Sequence, residues 1–368
     1  MDPQGLLRIA EMRGRPGPFG RCEQPGNQRY GIGTIAQYNV VMTTLGVAIT
    51  AACVTVLAVE FLRHRRRALP VDGWAALAGL LVAEGAMFRK IEPVATYFTP
   101  IAWTCWIVLA DAALRAMASN AGGAGKPSSP GGVKSTALWA GRTLREKWEI
   151  TLLSVPLWLI FELYNLRLAN WTYVGLPENL VARYLGYAWS FATITPGIFV
   201  TADLIQAYGW FGPGRPRTVK RQTLNLLMAV GALLLAIPIL VPQEIGAYLF
   251  ALVWLGFILL LDPVNCKLRL PSLVGDWVDG RTARLWSLLV SGFMCGFLWE
   301  FWNYWATARW LYVFPIFQEW KIFEMPAPGF LGFPPFALEC FAMYVTAKWC
   351  IKRKPATTDE HGVTRIKA

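Results

Sequence analysis

The sequence predicts an all-α protein: a polytopic membrane helix bundle of about nine transmembrane helices with an internal parallel hairpin repeat. Hydrophobic residues make up 55% of the chain and charged residues 16%, and several uncharged apolar runs are long enough to cross a bilayer. Basic residues are concentrated in alternate loops, as in multi-pass membrane proteins. Two stretches of the chain also share a Glu-x-x-Asn and a Trp-x-Tyr motif. These three observations carry the fold prediction.

The composition divides the chain into five segments. Residues 1–34, rich in Gly, Pro, Arg and Gln, predict a flexible N-terminal tail, and 352–368 a polar C-terminal tail. The Gly/Ser/Pro-rich segment 118–137 is predicted to be a linker. It separates about three N-terminal membrane helices in 35–117 from a repeat-containing membrane domain of about six helices in 138–351.

Runs of apolar residues set the predicted helices, and short polar segments end them. The basic run at 63–67 ends the first helix, and Asp262-Pro263 is expected to end the seventh. The nine predicted helices are 36–62, 72–88, 95–117, 150–168, 182–210, 223–242, 245–262, 285–307 and 333–351.

Lys and Arg are distributed unevenly between alternate loops. Loops 63–71, 118–149, 211–222 and 263–284 carry 4, 5, 4 and 4 of them, whereas the intervening loops carry at most 2. The positive-inside rule therefore predicts an external N-terminus and a cytoplasmic C-terminus, in an integral protein of the bacterial inner membrane. The five Arg of the N-terminal tail oppose this orientation. The net charge of +12 is assigned to topology, so no nucleic-acid partner is expected.

Residues 159–198 and 293–344 carry the same polar pattern in otherwise apolar sequence. In each stretch a Glu and an Asn stand three residues apart, which places both on one face of a helix. A Trp-x-Tyr follows, and then a returning helix with an early Pro. Because both copies run in the same direction, the pattern predicts a parallel repeat. The matching residues are Glu162 with Glu300, Asn165 with Asn303, Trp171 with Trp310, and Tyr173 with Tyr312.

Glu300, Glu339, Glu324 and Asn303 are the candidate catalytic residues. Ionisable side chains at membrane depth are costly, so each is a functional candidate by default. Loss of solvation favours the neutral form of a carboxyl group, which suits Glu300 as a general acid with Glu339 or Glu324 as base. The structural alternative is a hydrogen bond between helices, from Glu to Asn or to a Trp indole.

Trp299, Trp302 and Trp305, with Glu162 and Asn165, are the candidate substrate-binding residues. At a spacing of three the indoles stay near one helix face and could line an apolar cavity. Aromatic rings there could hold a polyene or stabilise a carbocation by cation–π attraction. Tight helix packing is the alternative explanation.

Metal and cofactor sites are not expected. The two histidines, His64 and His361, lie in an arginine run and in the polar tail, which removes the His-based di-iron, zinc and haem arrangements. The seven cysteines form no Cys-x-x-Cys pair. Any chemistry is therefore predicted to be metal-independent.

The phrases FLWEFWNYW, FEMP and GFLGFPPFALECFAMY resemble those of an uncharacterised bacterial family of multi-pass membrane proteins, mainly over residues 260–350. That resemblance implies no activity. More remotely, Trp299-Glu300-Phe301 is similar to the acid-bearing helix of the integral-membrane lycopene and meroterpenoid cyclases. This likeness implies metal-free protonation and deprotonation of an isoprenoid, although the Pro-x-Glu-Glu/Asp signature of the lycopene cyclases is absent.

Three functions remain open on the sequence. The first is a metal-independent intramembrane acid–base enzyme that acts on an isoprenoid or lipid, like a cyclase or isomerase. The second is a non-catalytic structural or pigment- or lipid-binding subunit, and the third is a lipid or small-molecule transporter. The expected partners are a membrane lipid or isoprenoid, with a membrane protein as the alternative.

Overall fold

The computed structural model describes residues 32–118 and 137–352, with side chains from residue 40 onward. The chain divides into two compact units, Met1–Val40 and Val41–Ala368. In the first unit only residues 32–40 are described, and all of them are helical. The predicted tails 1–34 and 352–368 and the predicted linker 118–137 lie almost entirely outside the described residues.

Helices form most of the described chain, and four short strands form two antiparallel ladders. The ladders pair β1 (Trp171–Val174) with β2 (Arg309–Tyr312), and β3 (Lys321–Ile322) with β4 (Met325–Pro326). A 3₁₀ helix, Ala327–Gly332, leads into the last α-helix. The helices are α1 (Ile32–His64), α2 (Val71–Phe88), α3 (Phe98–Met117), α4 (Leu144–Leu168), α5 (Leu180–Ala192), α6 (Ile194–Ala207), α7 (Arg221–Leu240), α8 (Gln243–Gly246), α9 (Phe250–Lys267), α10 (Leu273–Val278), α11 (Ala283–Trp305) and α12 (Phe333–Lys352).

Within the described residues, nine helical segments are long and apolar enough to cross a membrane. The helices α5 and α6 together make one of these spans, and the 3₁₀ helix and α12 make another. The short helices α8 and α10 are connectors. The predicted fold class, an all-α membrane bundle of about nine spans, is therefore confirmed.

The fifth predicted helix, 182–210, is divided into α5 and α6. Pro196 has no N–H, and its ring clashes with the carbonyl one turn earlier in a continuous helix. Ser154 of α4 satisfies the backbone groups freed by the break: its hydroxyl donates to the carbonyl oxygen of Phe191 at 2.6 Å and accepts the N–H of Thr195 at 3.0 Å. The break is therefore stabilised by a neighbouring helix, as broken membrane helices require.

The seventh predicted helix, 245–262, is displaced along the chain. The observed helix α9 begins at Phe250 and continues through Pro263 to Lys267, so Asp262 does not mark its end. Asp262 instead accepts the N–H groups of Leu273 and Val274 at 2.7 and 2.8 Å. Its carboxylate therefore caps the first turn of α10. This role explains why an aspartate is buried inside a continuous helix.

The fourth helix begins earlier than predicted, at Leu144 rather than near residue 150. Thr143 and Glu146 form a capping box, in which each side chain accepts a backbone N–H of the other residue. This pair of bonds satisfies amides at the helix start and extends α4 by more than a turn.

The core of the compact unit Val41–Ala368 is built around α11, which packs against α6 and α12. Trp103 of α3 lies with its ring centroid 5.0 Å from those of both Trp299 and Trp302. Gly197 makes room for this indole, since a Cβ at that position would lie 2.7 Å from the Trp103 ring. Helices from the predicted segments 35–117 and 138–351 therefore share one core.

Candidate functional site

The β1–β2 ladder joins the ends of α4 and α11 and marks one end of the bundle, here called the strand-bearing end. Trp171 lies opposite Tyr312, and Tyr173 lies opposite Trp310. The two connections approach so closely that a Cβ at Gly175 would lie 2.1 Å from the carbonyl oxygen of Thr307. The two Trp-x-Tyr motifs are therefore in direct contact with each other.

Glu162 of α4 binds three aromatic donors through one oxygen. Its Oε1 accepts the indole N–H of Trp158 at 2.8 Å, the indole N–H of Trp171 at 3.2 Å and the phenol of Tyr173 at 2.6 Å. Hydrogen bonds to a carboxylate are stronger than those between neutral groups. Glu162 therefore fixes the positions of three aromatic side chains at the strand-bearing end.

Glu300 of α11 is fully buried and plays the corresponding part for β2. Its Oε1 accepts the phenol of Tyr312 at 3.0 Å. Its Oε2 has no hydrogen-bond partner among the described residues. Glu300 is therefore less well satisfied than Glu162, although both hold the Tyr of a Trp-x-Tyr motif.

Burial raises the pKa values of the Tyr173 and Tyr312 phenols well above the usual range for tyrosine, and the neighbouring carboxylate of Glu162 or Glu300 raises them further. Both phenols therefore stay protonated at neutral pH and act as donors.

Each of the two asparagines binds the backbone of the Trp in the Trp-x-Tyr motif that follows it. Asn303 donates from Nδ2 to the carbonyl of Trp310 at 2.9 Å and accepts its N–H at 3.0 Å. Asn165 makes the same two bonds to Trp171, at 2.9 and 3.1 Å. Each Glu-x-x-Asn motif thus anchors its Trp-x-Tyr motif by backbone and side-chain contacts together.

A cavity of about 120 Å³ lies at the strand-bearing end. Among its described lining residues, Arg183 and Arg309 are the only two with charged side chains, and none is Asp or Glu. Most of the wall is aromatic, as in sites that take an apolar ligand. The aromatic lining residues are Tyr97, Trp103, Trp158, Trp171, Tyr173, Tyr187, Phe191, Phe250, Trp254, Trp299, Trp310, Tyr312, Phe314, Phe333 and Phe336.

Three polar groups of lining residues are buried and lack a hydrogen-bond partner in the described part of the chain, and one of them is Nε1 of Trp310 on β2. The other two are Oγ1 of Thr99 and Nε1 of Trp103, in side chains that are 5% and 1% exposed. The two residues lie one turn apart on α3, so they share a face. Buried polar groups are usually hydrogen-bonded, and these two are available to a polar group of a ligand.

Of the three predicted substrate-binding tryptophans, Trp299 lines the cavity and the other two do not. Trp302 donates its indole N–H to Oε1 of Glu84 at 3.3 Å, and the Trp305 ring lies 5.4 Å from that of Phe88. A spacing of three rotates successive side chains by about 60° around a helix with 3.6 residues per turn. The three indoles therefore reach different neighbours.

None of the four candidate catalytic residues belongs to the cavity lining. Glu300 and Asn303 hold residues that do line it, as described above. Glu324 lies between β3 and β4, 3.8 Å from Arg309, and burial raises its pKa. Glu339 of α12 is 0% exposed, and neither of its carboxylate oxygens has a hydrogen-bond partner within the described residues.

Several lining residues were not singled out from the sequence. The sequence could have identified Trp158, because it stands four residues before Glu162 on the same helix face. Arg183 was also visible as the one charged residue within α5. Arg309, Tyr97 and Trp103 are brought to the cavity only by tertiary packing, for which their local sequence gives no signal.

Groups of three or more His, Cys, Asp or Glu side chains that could hold a metal ion are absent from the described residues. The free cysteines among them are scattered, and three are buried in the core. Comparison of the chain with protein-family models, curated proteins and solved structures finds no match in any of the three.

Proposed function

We propose that this integral membrane protein binds a lipid or isoprenoid in the cavity at the strand-bearing end. The observation that carries the proposal is that two glutamates hold the aromatic side chains of the cavity wall. Glu162 and Glu300 accept hydrogen bonds from Trp158, Trp171, Tyr173 and Tyr312, all of which line the cavity. The acids thereby hold an aromatic wall in place instead of being lining residues themselves.

The cavity volume limits how much of a ligand it can hold. An apolar cavity of about 150 Å³ accommodates a benzene molecule, so a cavity of about 120 Å³ has room for one small ring or a short branched chain. The remainder of a longer lipid or isoprenoid lies outside it, in the surrounding bilayer. This size fits capture of one end of a ligand.

A metal-independent acid–base enzyme is the second candidate, with Glu300 as acid and Glu339 or Glu324 as base. Tyr312 favours it, because this residue both lines the cavity and binds Glu300, and so connects a buried carboxyl group to the ligand site. The aromatic wall would also stabilise a carbocation. In this function Glu300→Gln abolishes turnover while ligand binding remains.

The same proposal includes the orientation of the cavity in the bacterial inner membrane and the parallel repeat of the two hairpins that form it. With the N-terminus outside and the C-terminus in the cytoplasm of a bacterial cell, the strand-bearing end faces the outer leaflet of the inner membrane. The corresponding bonds of Glu162 and Glu300, and of Asn165 and Asn303, support a parallel repeat of two helical hairpins.

Photo-crosslinking tests the binding proposal directly. A diazirine analogue of geranylgeraniol, added to the purified protein in lipid nanodiscs, is expected to label peptides containing Trp158, Trp299 or Phe336. Ser190→Phe fills the cavity from α5, whereas Ala188→Phe adds the same ring to the exposed side of the same helix.

Labelling of the cavity peptides is expected to fall in Ser190→Phe and to persist in Ala188→Phe, with both variants matched for thermal stability. Labelling that is spread over lipid-facing helices, and that Ser190→Phe leaves unchanged, would contradict the proposal.

A further inference from the structure

Two arginines stand out in an otherwise aromatic cavity. Arg183 and Arg309 come from different hairpins, α5 and β2, yet both lie against the connection after β1. Arg183 donates from Nε to the carbonyl of Pro177 at 2.9 Å, and Arg309 pairs with Val174 in the ladder. The fold thus brings two arginine residues to the wall of one cavity, against the four-residue segment 174–177.

Both guanidinium groups keep donors available. A guanidinium has five N–H donors, and each arginine uses one of them on a backbone carbonyl: Arg183 on Pro177 and Arg309 on Tyr304 at 2.7 Å. Arg183 makes no ion pair within residues 40–118 and 137–352, and the carboxylate of Glu324 is 3.8 Å from Arg309. The donors are therefore held in position and only partly used.

Membrane topology does not account for these two charges. Residues 169–181, which lead into α5, contain no Lys or Arg, and 308–332 contain only two. The basic residues that set orientation belong to the opposite end of the bundle. Two half-buried arginines at the weakly charged end, both in the wall of one cavity, therefore need another explanation.

From this arrangement we propose that the ligand of the cavity carries a phosphate group, bound jointly by Arg183 and Arg309. The inference rests on the proposed binding function. A single bidentate arginine satisfies a carboxylate, whereas a phosphate monoester carries a charge of about −1.5 to −2 at neutral pH and has three terminal oxygens. Two guanidinium groups supply N–H donors for those three oxygens, and Arg183 adds a positive charge without an ion pair among the described residues, whereas Glu324 offsets part of the charge of Arg309.

The rest of the cavity suits such an amphiphile. The unpartnered Oγ1 of Thr99 and Nε1 of Trp103 supply two further donors, and the lining contains no Asp or Glu to repel an anion. The aromatic wall takes the first carbons of the chain. The ligand is then an isoprenyl phosphate, or another lipid with a terminal phosphate, held by its polar end.

Binding in nanodiscs of neutral phosphatidylcholine separates this inference from the function on which it rests. Three probes share one chain: farnesyl monophosphate, farnesoic acid and farnesol. Farnesyl monophosphate is expected to bind at least about tenfold more tightly than farnesol, as charge-assisted hydrogen bonds imply, and farnesoic acid to fall between them. Competition with phosphatidic acid distinguishes a phospholipid source from an isoprenoid one.

Arg183→Gln and Arg309→Gln are each expected to reduce the preference for farnesyl monophosphate over farnesol by about tenfold. Arg167→Gln is the matched control, because Arg167 donates to the carbonyl of Val241 at 2.8 Å near the same end and does not line the cavity. Arg183→Lys keeps the charge and is expected to retain part of the preference.

The readout is the ratio of the two affinities, so a variant that merely unfolds lowers both and does not count as support. Equal binding of farnesyl monophosphate and farnesol by the parent protein overturns the phosphate inference and leaves the proposed function standing. An unchanged ratio in Arg183→Gln and Arg183→Lys also overturns it. Failure of every probe to bind overturns the proposed function itself.

Discussion

The phenol of Tyr312 donates a hydrogen bond to Oε1 of Glu300 across 3.0 Å, and this is the one hydrogen bond that the carboxyl group of Glu300 receives within the described chain. Tyr312→Phe is therefore expected to leave a fully buried carboxyl group without a partner. Loss of such a partner costs about 1–3 kcal/mol of unfolding free energy. Thermal unfolding in detergent, followed by tryptophan fluorescence, measures the change.

Tyr173→Phe is the natural comparison, because Glu162 keeps the two indole donors of Trp158 and Trp171. Its expected cost is that of one ordinary hydrogen bond, about 0.5–1.5 kcal/mol. Tyr184→Phe, at an exposed position on α5, controls for removal of a phenol. If Tyr173→Phe destabilises the protein more than Tyr312→Phe, the two glutamates do not have the roles assigned to them.

Replacement of Glu339 is expected to raise the unfolding free energy, in contrast to the two Tyr→Phe changes. Both of its carboxylate oxygens are buried and lack hydrogen-bond partners in the described residues. Glu339→Leu replaces this side chain with an apolar one of similar size, so it is expected to stabilise the fold by about 1–3 kcal/mol. The same unfolding assay measures it.

A large destabilisation by Glu339→Leu would contradict the view that Glu339 is unsatisfied in the fold. Activity assays add a second reading. If Glu339 is the catalytic base, the stabilised variant loses turnover, and Glu339→Gln loses it as well.

The nine spans were predictable because each is a long apolar run whose hydrogen bonds are internal to the helix. The Glu-x-x-Asn motifs were predictable for a similar reason, since residues three apart share a helix face. The hydrogen-bond partners of the glutamates in these motifs were harder to predict. The sequence predicted Asn or a Trp indole as the partner of these glutamates. Glu162 does bind the indoles of Trp158 and Trp171, whereas Glu300 binds the phenol of Tyr312.

The β1–β2 ladder and the cavity depend on contacts between distant parts of the chain. Each strand has only four residues and gives a weak local signal, and its pairing joins loops from the two hairpins. The break between α5 and α6 had a local cause in Pro196, but Ser154, which stabilises it, lies on another helix. The presence of Arg183 and Arg309 in the lining of one cavity likewise has no signal in the local sequence.

Glu324 should make stability depend on pH. Burial raises its pKa above the ordinary value of 4.5, and the positive charges of Arg309 and Lys321 only partly oppose this. The folded protein therefore binds a proton more tightly than the unfolded chain does. Stability falls as the pH rises from about 4.5 through the raised pKa of the folded state, and is constant above it.

Glu324→Gln removes this titration, so the difference in melting temperature between the parent protein and the variant should shift against the parent as the pH rises from 4 to 7. Glu319→Gln, at an exposed position in the preceding loop between β2 and β3, controls for the Glu-to-Gln substitution itself. A parent protein that gains stability relative to Glu324→Gln over this range would show that ion pairing with Arg309 dominates burial.

The orientation of the bundle decides which leaflet the cavity faces, and two exposed positions can report it. Glu319 lies in the loop between β2 and β3 at the strand-bearing end, and Arg215 lies between α6 and α7 at the other end. The loop charges predict that the first lies outside and the second in the cytoplasm. A membrane-impermeant maleimide applied to intact cells is therefore expected to label Glu319→Cys, and to label Arg215→Cys only after permeabilisation. The unmodified protein provides the background from the native cysteines.

Labelling of Arg215→Cys alone in intact cells would reverse the topology and place the cavity at the cytoplasmic leaflet. The proposed cavity contacts would remain, but the ligand would then have to come from the cytoplasmic side of the membrane.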